Sequence, residues 1–247
     1  MQLGLIGKTL SHSFSKSYFE NKFEEEKLAN HSYELFELNS IEEFPELLKN
    51  NPNLVGLNVT IPYKESVIPF LDELDETAKE IGAVNTIKIS RKEGKTILKG
   101  YNTDAKGFGL SIKPFLKNTH ERALILGTGG GSKAVNYVLK NLGITTLFVS
   151  RNAKENELNY KDLNDYVMKF HKLVINTTPL GMSPNEDTFP DIPYSLLDES
   201  HTLIDLVYNP KQSQFLTKGK EEGTEILNGL SMLHHQANEA WKIWCND

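Results

Sequence analysis

The fold is decided by residues 122–143, RALILGTGGGSKAVNYVLKNLG. This stretch starts with an apolar run typical of a buried strand, continues through a glycine-rich turn, and then carries apolar residues at helical spacing until Gly143. Glycines let a pyrophosphate approach the backbone, and the helix directs its N-terminus at the negative charge. Gly127 and Gly129 occupy the first two positions of the G-x-G-x-x-G fingerprint, and Ser132 occupies the third. This glycine-rich turn lies between a predicted strand and a predicted helix. That position favours a dinucleotide-binding unit over a turn without a ligand.

The strand that follows this unit indicates which dinucleotide is bound. In an NAD site that strand usually ends in Asp or Glu, which binds the 2′-hydroxyl of the ribose. Here TLFVS (146–150) is followed by Arg151, Asn152, Ala153 and Lys154. A guanidinium and an ammonium can bind a 2′-phosphate, so the loop favours NADP. The alternative is that Arg151 is an ordinary surface charge.

Apolar and alternating runs predict strands along the whole chain. In the first half they cover residues 2–7, 32–38 and 53–59, followed by a hairpin of 83–90 and 95–100. In the second half they cover residues 122–127, 145–150, 171–178 and 201–208. Predicted helices include residues 72–82, ending at Gly82, and residues 230–244, with one apolar side made of Leu230, Leu233, Ala237, Ala240, Trp241 and Trp244. Strands alternating with helices predict an α/β fold with parallel sheets, whose ligands bind beyond the carboxyl ends of the strands.

Composition limits the class of protein and its partners. The chain has 247 residues, a formal net charge of −6 and ordinary proportions of apolar and charged residues, which exclude a disordered or low-complexity chain. The acidic balance argues against nucleic acid as the main partner. A secretory signal and an apolar run of about 20 residues are both missing from the sequence, so we expect no membrane segment.

The single cysteine and the adjacent histidines of the chain do not indicate a metal site. Cys245 is the only cysteine, so an intramolecular disulfide and a cysteine-based metal site are excluded, and we expect a reducing, cytoplasmic setting. His234 and His235 are adjacent in a predicted helix, so their side chains point in different directions.

Three polar clusters in the first half are candidates for substrate chemistry. Residues 11–15, SHSFS, can present hydroxyls and a helix N-terminus to a carboxylate, although either serine can instead cap the following helix. Residues 58–64, NVTIPYK, end in Lys64, which can act as an acid or base or can be a solvated surface charge. The third cluster, GYNTD, covers residues 100–104 at the boundary between the halves.

Taken in order, these clusters resemble the shikimate dehydrogenase family. The matching motifs extend over nearly the whole chain: SHSFS, NVTIPYK, GAVNT (82–86), GYNTDAKG (100–107), GTGGGSKA (127–134), NTTPLGM (176–182), DLVYNP (205–210) and GLSMLHHQA (229–237). The 150–152 loop reads Ser-Arg-Asn where the family has Asn-Arg-Thr, which keeps the guanidinium.

The resemblance implies a two-domain α/β enzyme with its active site in the cleft between the domains. Residues 1–102, joined by the C-terminal helix 229–247, would bind substrate, and residues 103–228 would form a Rossmann-like NADP-binding domain. The implied reaction is the reversible, NADPH-dependent reduction of 3-dehydroshikimate to shikimate in aromatic amino acid (chorismate) biosynthesis. The implied partners are small molecules, and the chain is compatible with a homodimer.

Matching positions imply a role for each site residue. Lys64 would transfer the proton, with Asp104 as its partner. The substrate would be bound by both of these and by Ser13, Ser15, Thr60, Asn85, Tyr208 and Gln236. The cofactor would be bound by Gly127, Thr128, Gly129, Gly130, Gly131, Ser150, Arg151, Asn152, Lys154, Thr177, Leu206 and Gly229, with the last three lining its nicotinamide end.

Two alternatives remain open on the sequence. One is a quinate/shikimate dehydrogenase that uses NAD, against which the charge of Arg151 argues. The other is a non-catalytic shikimate-binding sensor of the same fold, because a fold by itself does not establish activity. Lys64 and Asp104 are both present, which favours an enzyme over a sensor.

Overall fold

The computed structural model describes residues 1–10, 13–92 and 94–246. The chain forms two compact units, the first made of Met1–Thr103 together with the chain from Ala237 onwards, and the second made of Asp104–Gln236. Ser11 and His12, the first two residues of the SHSFS cluster, lie outside the described residues.

The first unit is built on a mixed six-stranded sheet. Its elements are β1 (Gln2–Gly7), α1 (Phe14–Glu25), β2 (Ser32–Glu37), α2 (Phe44–Asn50), β3 (Leu54–Val59), β4 (Glu73–Leu74), α3 (Glu76–Ile81), β5 (Thr86–Lys92) and β6 (Lys95–Tyr101). The strand order is β2-β1-β3-β5-β6-β4. β1 is parallel to β2 and β3, whereas β5 is antiparallel to β3 and β6. The predicted hairpin is therefore confirmed, and the expectation of parallel strands holds for β1, β2 and β3 but not for β5, which makes the sheet mixed.

The second unit has the all-parallel sheet that the alternating pattern predicts. After α4 (Thr103–Ile112), its elements are β7 (Arg122–Leu126), α5 (Gly130–Asn141), β8 (Thr145–Val149), α6 (Asp165–Phe170), β9 (Leu173–Asn176), β10 (Thr202–Asp205), α7 (Gln214–Glu221) and β11 (Glu225–Leu227). The last helix, α8 (Leu230–Cys245), belongs to the second unit up to Gln236 and to the first unit from Ala237. The strand order is β11-β10-β9-β7-β8. From β7 the chain runs to β8 on one side and from β9 to β10 on the other, so the topological switch point lies between β7 and β9.

β1 supplies apolar side chains to both faces of the first sheet. Ile6 packs into one cluster with Phe44 and Leu57. Leu3 packs into another with Phe19 and Trp244, the last of which lies in the C-terminal part of α8. The Trp244 indole N–H donates to the carbonyl of Ile87 at 3.0 Å. A Cβ atom on Gly56 would lie 2.4 Å from this indole, so β3 has glycine where the ring crosses it.

Two helix predictions need correction. The helix predicted at 72–82 is only Glu76–Ile81, because Asp75 accepts a hydrogen bond from the Ala78 N–H and caps it, while β4 pairs with β6. It does end at Gly82, which has φ +70°. In the N-terminal part of α8 the buried side chains are Met232 and Gln236, whereas Leu230 and Leu233 are half-buried.

None of the helices in the described parts of the chain is both long and apolar enough to cross a membrane.

Candidate active site

The glycine turn leaves the N-terminus of α5 open. The Gly127 N–H donates to the carbonyl of Val149 at 2.9 Å, and the backbone of Gly127 has φ +113°, which favours glycine. Gly129 is the N-cap residue of α5 and has no side chain that could cap the first amides of the helix. A Cβ atom on Gly129 would meet no described atom within 4 Å. An open helix N-terminus with a bare backbone suits a pyrophosphate.

Ser132, at the third position of the fingerprint, holds the residue that follows β9. The Thr177 hydroxyl donates to the carbonyl of Leu126 at 2.6 Å, and its oxygen lies 2.6 Å from the Ser132 hydroxyl. Since the Thr177 proton is directed at Leu126, Ser132 is the donor in the second contact. A Cβ atom on Gly127 would lie 2.8 Å from the Thr177 oxygen, so the turn and Thr177 are in close contact.

Leu206, which follows β10, lies next to two predicted cofactor glycines, Gly229 and Gly131. A Cβ atom on Gly229 would lie 2.2 Å from the carbonyl oxygen of Leu206, so only glycine fits there. A Cβ atom on Gly131 would lie 3.6 Å from the Leu206 side chain. The glycine turn, the ends of β9 and β10, and Gly229 therefore form one continuous surface at the carboxyl edge of the second sheet.

The loop after β8 lies on the other side of the glycine turn. Ser150 is half-buried, while Arg151, Asn152 and Lys154 are exposed. The Asn152 N–H donates to the Ser150 hydroxyl at 3.2 Å, and the Asn159 amide donates to the Arg151 carbonyl at 3.0 Å. Within the described residues, no carboxylate forms an ion pair with the Arg151 guanidinium. Hydrogen bonds to its backbone groups therefore fix the conformation of the loop, and the Arg151 guanidinium faces solvent.

In the first unit, Lys64 and Asn85 are on adjoining segments. Lys64 is half-buried in the turn after β3, and its carbonyl accepts from the Val84 N–H at 2.7 Å. Thr60, also half-buried, donates its N–H to Ile6 at the end of β1 at 2.9 Å. These backbone bonds bring the NVTIPYK and GAVNT motifs together.

Asn85 is held by a buried polar network that sequence reasoning missed in part. Its side-chain N–H donates to the Thr103 hydroxyl at 2.9 Å, and its side-chain oxygen accepts from the Thr103 backbone N–H at 2.6 Å. The amide of Asn58 donates to the Asn85 carbonyl and the Thr86 hydroxyl, both at 3.2 Å. The Tyr33 hydroxyl donates to Asn58 at 2.7 Å. Asn58 is the one polar side chain of the otherwise apolar strand β3, which is the signal that could have identified it.

The serines lie at the start of α1. Ser13 is the N-cap residue, and its side chain caps no described N–H, so the capping alternative is wrong for Ser13. Ser15 is in the first turn of α1. Burial raises the pKa of Tyr33, and hydrogen bonding with Ser15 opposes that rise. Ser15 therefore lies next to the buried network of Tyr33 and Asn58.

The other predicted substrate residues belong to the second unit. Asp104, in the first turn of α4, and Gln236, in α8, are buried, and Tyr208 is half-buried. A Cβ atom on Gly107 would lie 3.0 Å from the Gln236 Cβ atom, so α4 and α8 pack closely at this point. Among the described residues there is no group of three or more His, Cys, Asp or Glu side chains that could hold a metal ion.

Comparison with known proteins identifies the family. A family model described as the shikimate dehydrogenase substrate binding domain matches residues 5–87. The shikimate dehydrogenase (NADP(+)) of Methanosphaera stadtmanae is 36% identical over 261 residues, covering 98% of this chain and 90% of that protein. The chain belongs to the shikimate dehydrogenase family.

Solved structures extend the likeness to the whole fold. The shikimate 5-dehydrogenase of Thermus thermophilus, in complex with NADP(H) and shikimate, has a TM-score of 0.85 and 29% identity, covering 99% of this chain and 93% of that one. The quinate dehydrogenase of Corynebacterium glutamicum, in complex with NAD, also has a TM-score of 0.85, with 28% identity and the same coverage of both chains. The α/β fold with a Rossmann-like parallel sheet is thus that of the shikimate dehydrogenase family.

Proposed function

We propose that this protein catalyses the reversible reduction of 3-dehydroshikimate to shikimate with NADPH, as part of aromatic amino acid biosynthesis. The observation that carries the proposal is the carboxyl edge of the second sheet, where an open helix N-terminus lies between an arginine loop and the Thr177, Leu206 and Gly229 surface. That edge has the parts a dinucleotide phosphate needs, and the whole chain aligns with NADP-dependent shikimate dehydrogenases.

The residues present fit NADP along its whole length. The α5 N-terminus and residues 127–131 would bind the pyrophosphate, since backbone amides and the helix dipole favour negative charge there. Arg151 and Lys154 would bind the 2′-phosphate, assisted by Ser150 and Asn152. Thr177, Leu206 and Gly229 would contact the nicotinamide. Bound NADPH supplies the hydride that adds to the ring carbonyl carbon.

Lys64 and Asp104 would handle the proton. As the hydride reaches the carbonyl carbon, charge develops on the carbonyl oxygen, and the Lys64 ammonium donates a proton to it. By its match to the family's motif, Asp104 would be the carboxylate partner of that ammonium. In the oxidation of shikimate, the neutral amine of Lys64 takes the hydroxyl proton back. This assignment follows from matching motifs and from residue chemistry.

The remaining polar residues would bind the substrate. Ser13 and Ser15 at the start of α1, with Tyr208, suit the carboxylate. Thr60, Asn85, Asp104 and Gln236 suit the ring hydroxyls, because each hydroxyl needs a partner once water is excluded. Thr103 holds both amide atoms of Asn85, which supports a fixed orientation for that ligand.

We propose a cytoplasmic location and small-molecule partners, which agree with the single cysteine and the acidic balance of the chain. A homodimer is compatible with this function.

The test is the initial velocity of the purified protein with shikimate or quinate, each paired with NADP or NAD at matched concentrations. We expect rapid reduction of NADP by shikimate and little turnover with the other pairs. Faster turnover with NAD or quinate would favour the quinate/shikimate dehydrogenase alternative. The structural likeness to a quinate dehydrogenase is the reason for testing it. A folded sample that binds shikimate but turns over none of the pairs would favour the sensor.

A further inference from the structure

Asp205 is a buried carboxylate that the proposed chemistry does not use. It is the last residue of β10, and its exposed fraction is 0%. Burial raises its pKa to about 7, even though three hydrogen-bond donors favour its charged form. No Lys or Arg side chain of the described residues forms an ion pair with it. A carboxylate in such a position is costly to bury, so its contacts need an explanation.

The carboxylate accepts hydrogen bonds from three separate segments. Its Oδ1 atom accepts from the Asn176 side chain at 2.9 Å and from the Val207 N–H at 3.0 Å. Its Oδ2 atom accepts from the hydroxyl of Ser213, the N-cap residue of α7. One side chain thus ties together the end of β9, its own loop and the start of α7.

Asn176 connects the Asp205 carboxylate to the loop after β9 through further hydrogen bonds. Its side-chain oxygen accepts from the Thr178 N–H at 3.0 Å and from the Thr178 hydroxyl at 2.6 Å. The Asn176 backbone carbonyl accepts from the Leu206 N–H at 2.9 Å. Thr177 is therefore held between two residues that depend on the Asp205 carboxylate.

The loop after β10 is constrained in the same way. Leu206 lies between Asp205 and Val207, whose N–H is bound to the Asp205 side chain. The Val207 carbonyl in turn accepts from the Gly229 N–H at 3.1 Å. All three residues assigned to the nicotinamide end, Thr177, Leu206 and Gly229, are thus one or two hydrogen bonds from a single carboxylate.

We propose that Asp205 is a positioning residue for the nicotinamide end of the cofactor, an inference that rests on the proposed function. Hydride transfer needs the reacting atoms about 3–3.5 Å apart and aligned, so a small displacement of the surface under the nicotinamide lowers the rate. The Asp205 carboxylate holds the two loops of that surface in register, and no other side chain of the described residues hydrogen-bonds to both Asn176 and Ser213.

The test replaces the carboxylate by an amide of the same shape, Asp205→Asn. One of the two acceptor oxygens becomes an NH₂ group, which then faces a donor from Ser213 or from Asn176 and Val207. Asp198→Asn is the matched control, because Asp198 is also a hydrogen-bonded carboxylate close to β10 but lies at its amino end and has a 57% exposed side chain. The measurements are NADP affinity by titration calorimetry, kcat, KM for shikimate and the melting temperature.

We expect Asp205→Asn to lower kcat by about tenfold or more and to weaken NADP binding, with KM for shikimate changed less than about twofold. Asp198→Asn should leave all three unchanged. Kinetic and calorimetric values of Asp205→Asn within twofold of the unmodified protein would overturn the proposal. A lower kcat with unchanged NADP affinity and a reduced folded fraction would also overturn it, since this pattern indicates a purely structural role.

If Asp205→Asn does not fold, Ser213→Ala decides, because it removes one donor and leaves the carboxylate in place. It should reduce NADP affinity and kcat in the same direction by a smaller factor, and unchanged values would overturn the proposal. NADP binding and shikimate turnover of the unmodified protein distinguish a failure of this inference from a failure of the proposed function. If it binds NADP but does not turn over shikimate, the proposed function fails, and the calorimetric comparison of the variants still tests Asp205.

Discussion

The backbone position of Lys64 and of Arg151 makes each a candidate for binding or chemistry. Lys64 lies in the turn after β3, where its carbonyl is fixed by the Val84 N–H beside the buried Asn85 network. Arg151 lies one residue beyond Ser150, in the exposed loop next to the glycine turn. At the residue scale, the question for each is whether its charge acts on a bound ligand.

Lys64→Ala should lower kcat by about 10²-fold or more, the usual scale for losing an acid or base, with a smaller effect on KM for shikimate. Steady-state kinetics measures both values. Lys79→Ala removes an exposed lysine from the last turn of α3 and should leave kcat unchanged. Turnover of Lys64→Ala within twofold of the unmodified protein would rule out proton transfer by this residue.

Arg151→Ala should raise KM for NADP about tenfold while leaving KM for NAD nearly unchanged, because charge-assisted hydrogen bonds to the 2′-phosphate are lost. Lys161→Ala removes a nearby exposed cation and serves as control. If Arg151→Ala affects NADP and NAD equally, the guanidinium does not bind the 2′-phosphate.

At the scale of elements, two glycines in the candidate cofactor site have different roles, one in ligand binding and the other also in packing. Gly129 has extended backbone with φ −81°, and a Cβ atom there would meet no described atom within 4 Å. A Cβ atom on Gly229 would instead collide with the Leu206 carbonyl at 2.2 Å. The first position is open for a ligand, whereas the second is filled by the protein itself.

Gly129→Ala should therefore keep the melting temperature within about 2 °C of the unmodified protein, a stability change well below 1 kcal/mol, while weakening NADP binding. Gly229→Ala should lower both the melting temperature and the NADP affinity, because the backbone must move to accept the methyl group. Differential scanning calorimetry and NADP titration distinguish the two. Normal NADP affinity in Gly129→Ala would mean that no phosphate approaches the α5 N-terminus.

Across the whole molecule, buried histidines lie at the amino edge of the second sheet, opposite the candidate site. Burial lowers the pKa of His120 and of His171. Each precedes a strand, β7 and β9 respectively, and both side chains are buried. In the unfolded chain these groups bind protons near the ordinary histidine value, whereas in the folded chain they stay neutral to lower pH. Their contribution to stability is therefore present above about pH 6.5 and is lost as the pH falls below it.

His120→Gln should make the loss of unfolding free energy between pH 7 and pH 5 shallower, by at most about 1.4 kcal/mol per pH unit. Glutamine keeps hydrogen-bonding capacity but does not titrate. Asp205 acts with the opposite sign, because its raised pKa makes the folded protein bind a proton that the unfolded chain releases. Urea unfolding followed at several pH values measures the slope, with His234→Gln on the exposed side of α8 as control. An unchanged slope in His120→Gln would contradict the prediction.

Much of the second unit could be predicted from local patterns. The strand, glycine turn and helix of residues 122–143 carry their own signals, since apolar periodicity and glycine spacing act over a few neighbouring residues. The short elements β4, α6, α7 and β11 are not among the elements predicted from the sequence. Of the six residues predicted on the apolar side of α8, Leu230 and Leu233 are only half-buried, whereas the polar Gln236 is buried.

The amino-acid sequence by itself determined the α/β class, the order of the motifs and the membership of a family, because these depend on residue types and on their spacing along the chain. Only the tertiary structure decided which polar groups hold the site together. Ser132 contacts Thr177 and Asn176 contacts Asp205 across 45 and 29 positions of the chain. A buried hydrogen bond needs both partners within about 3 Å, and a distance that short between remote residues arises only when the helices and strands that carry them are packed together in the folded chain.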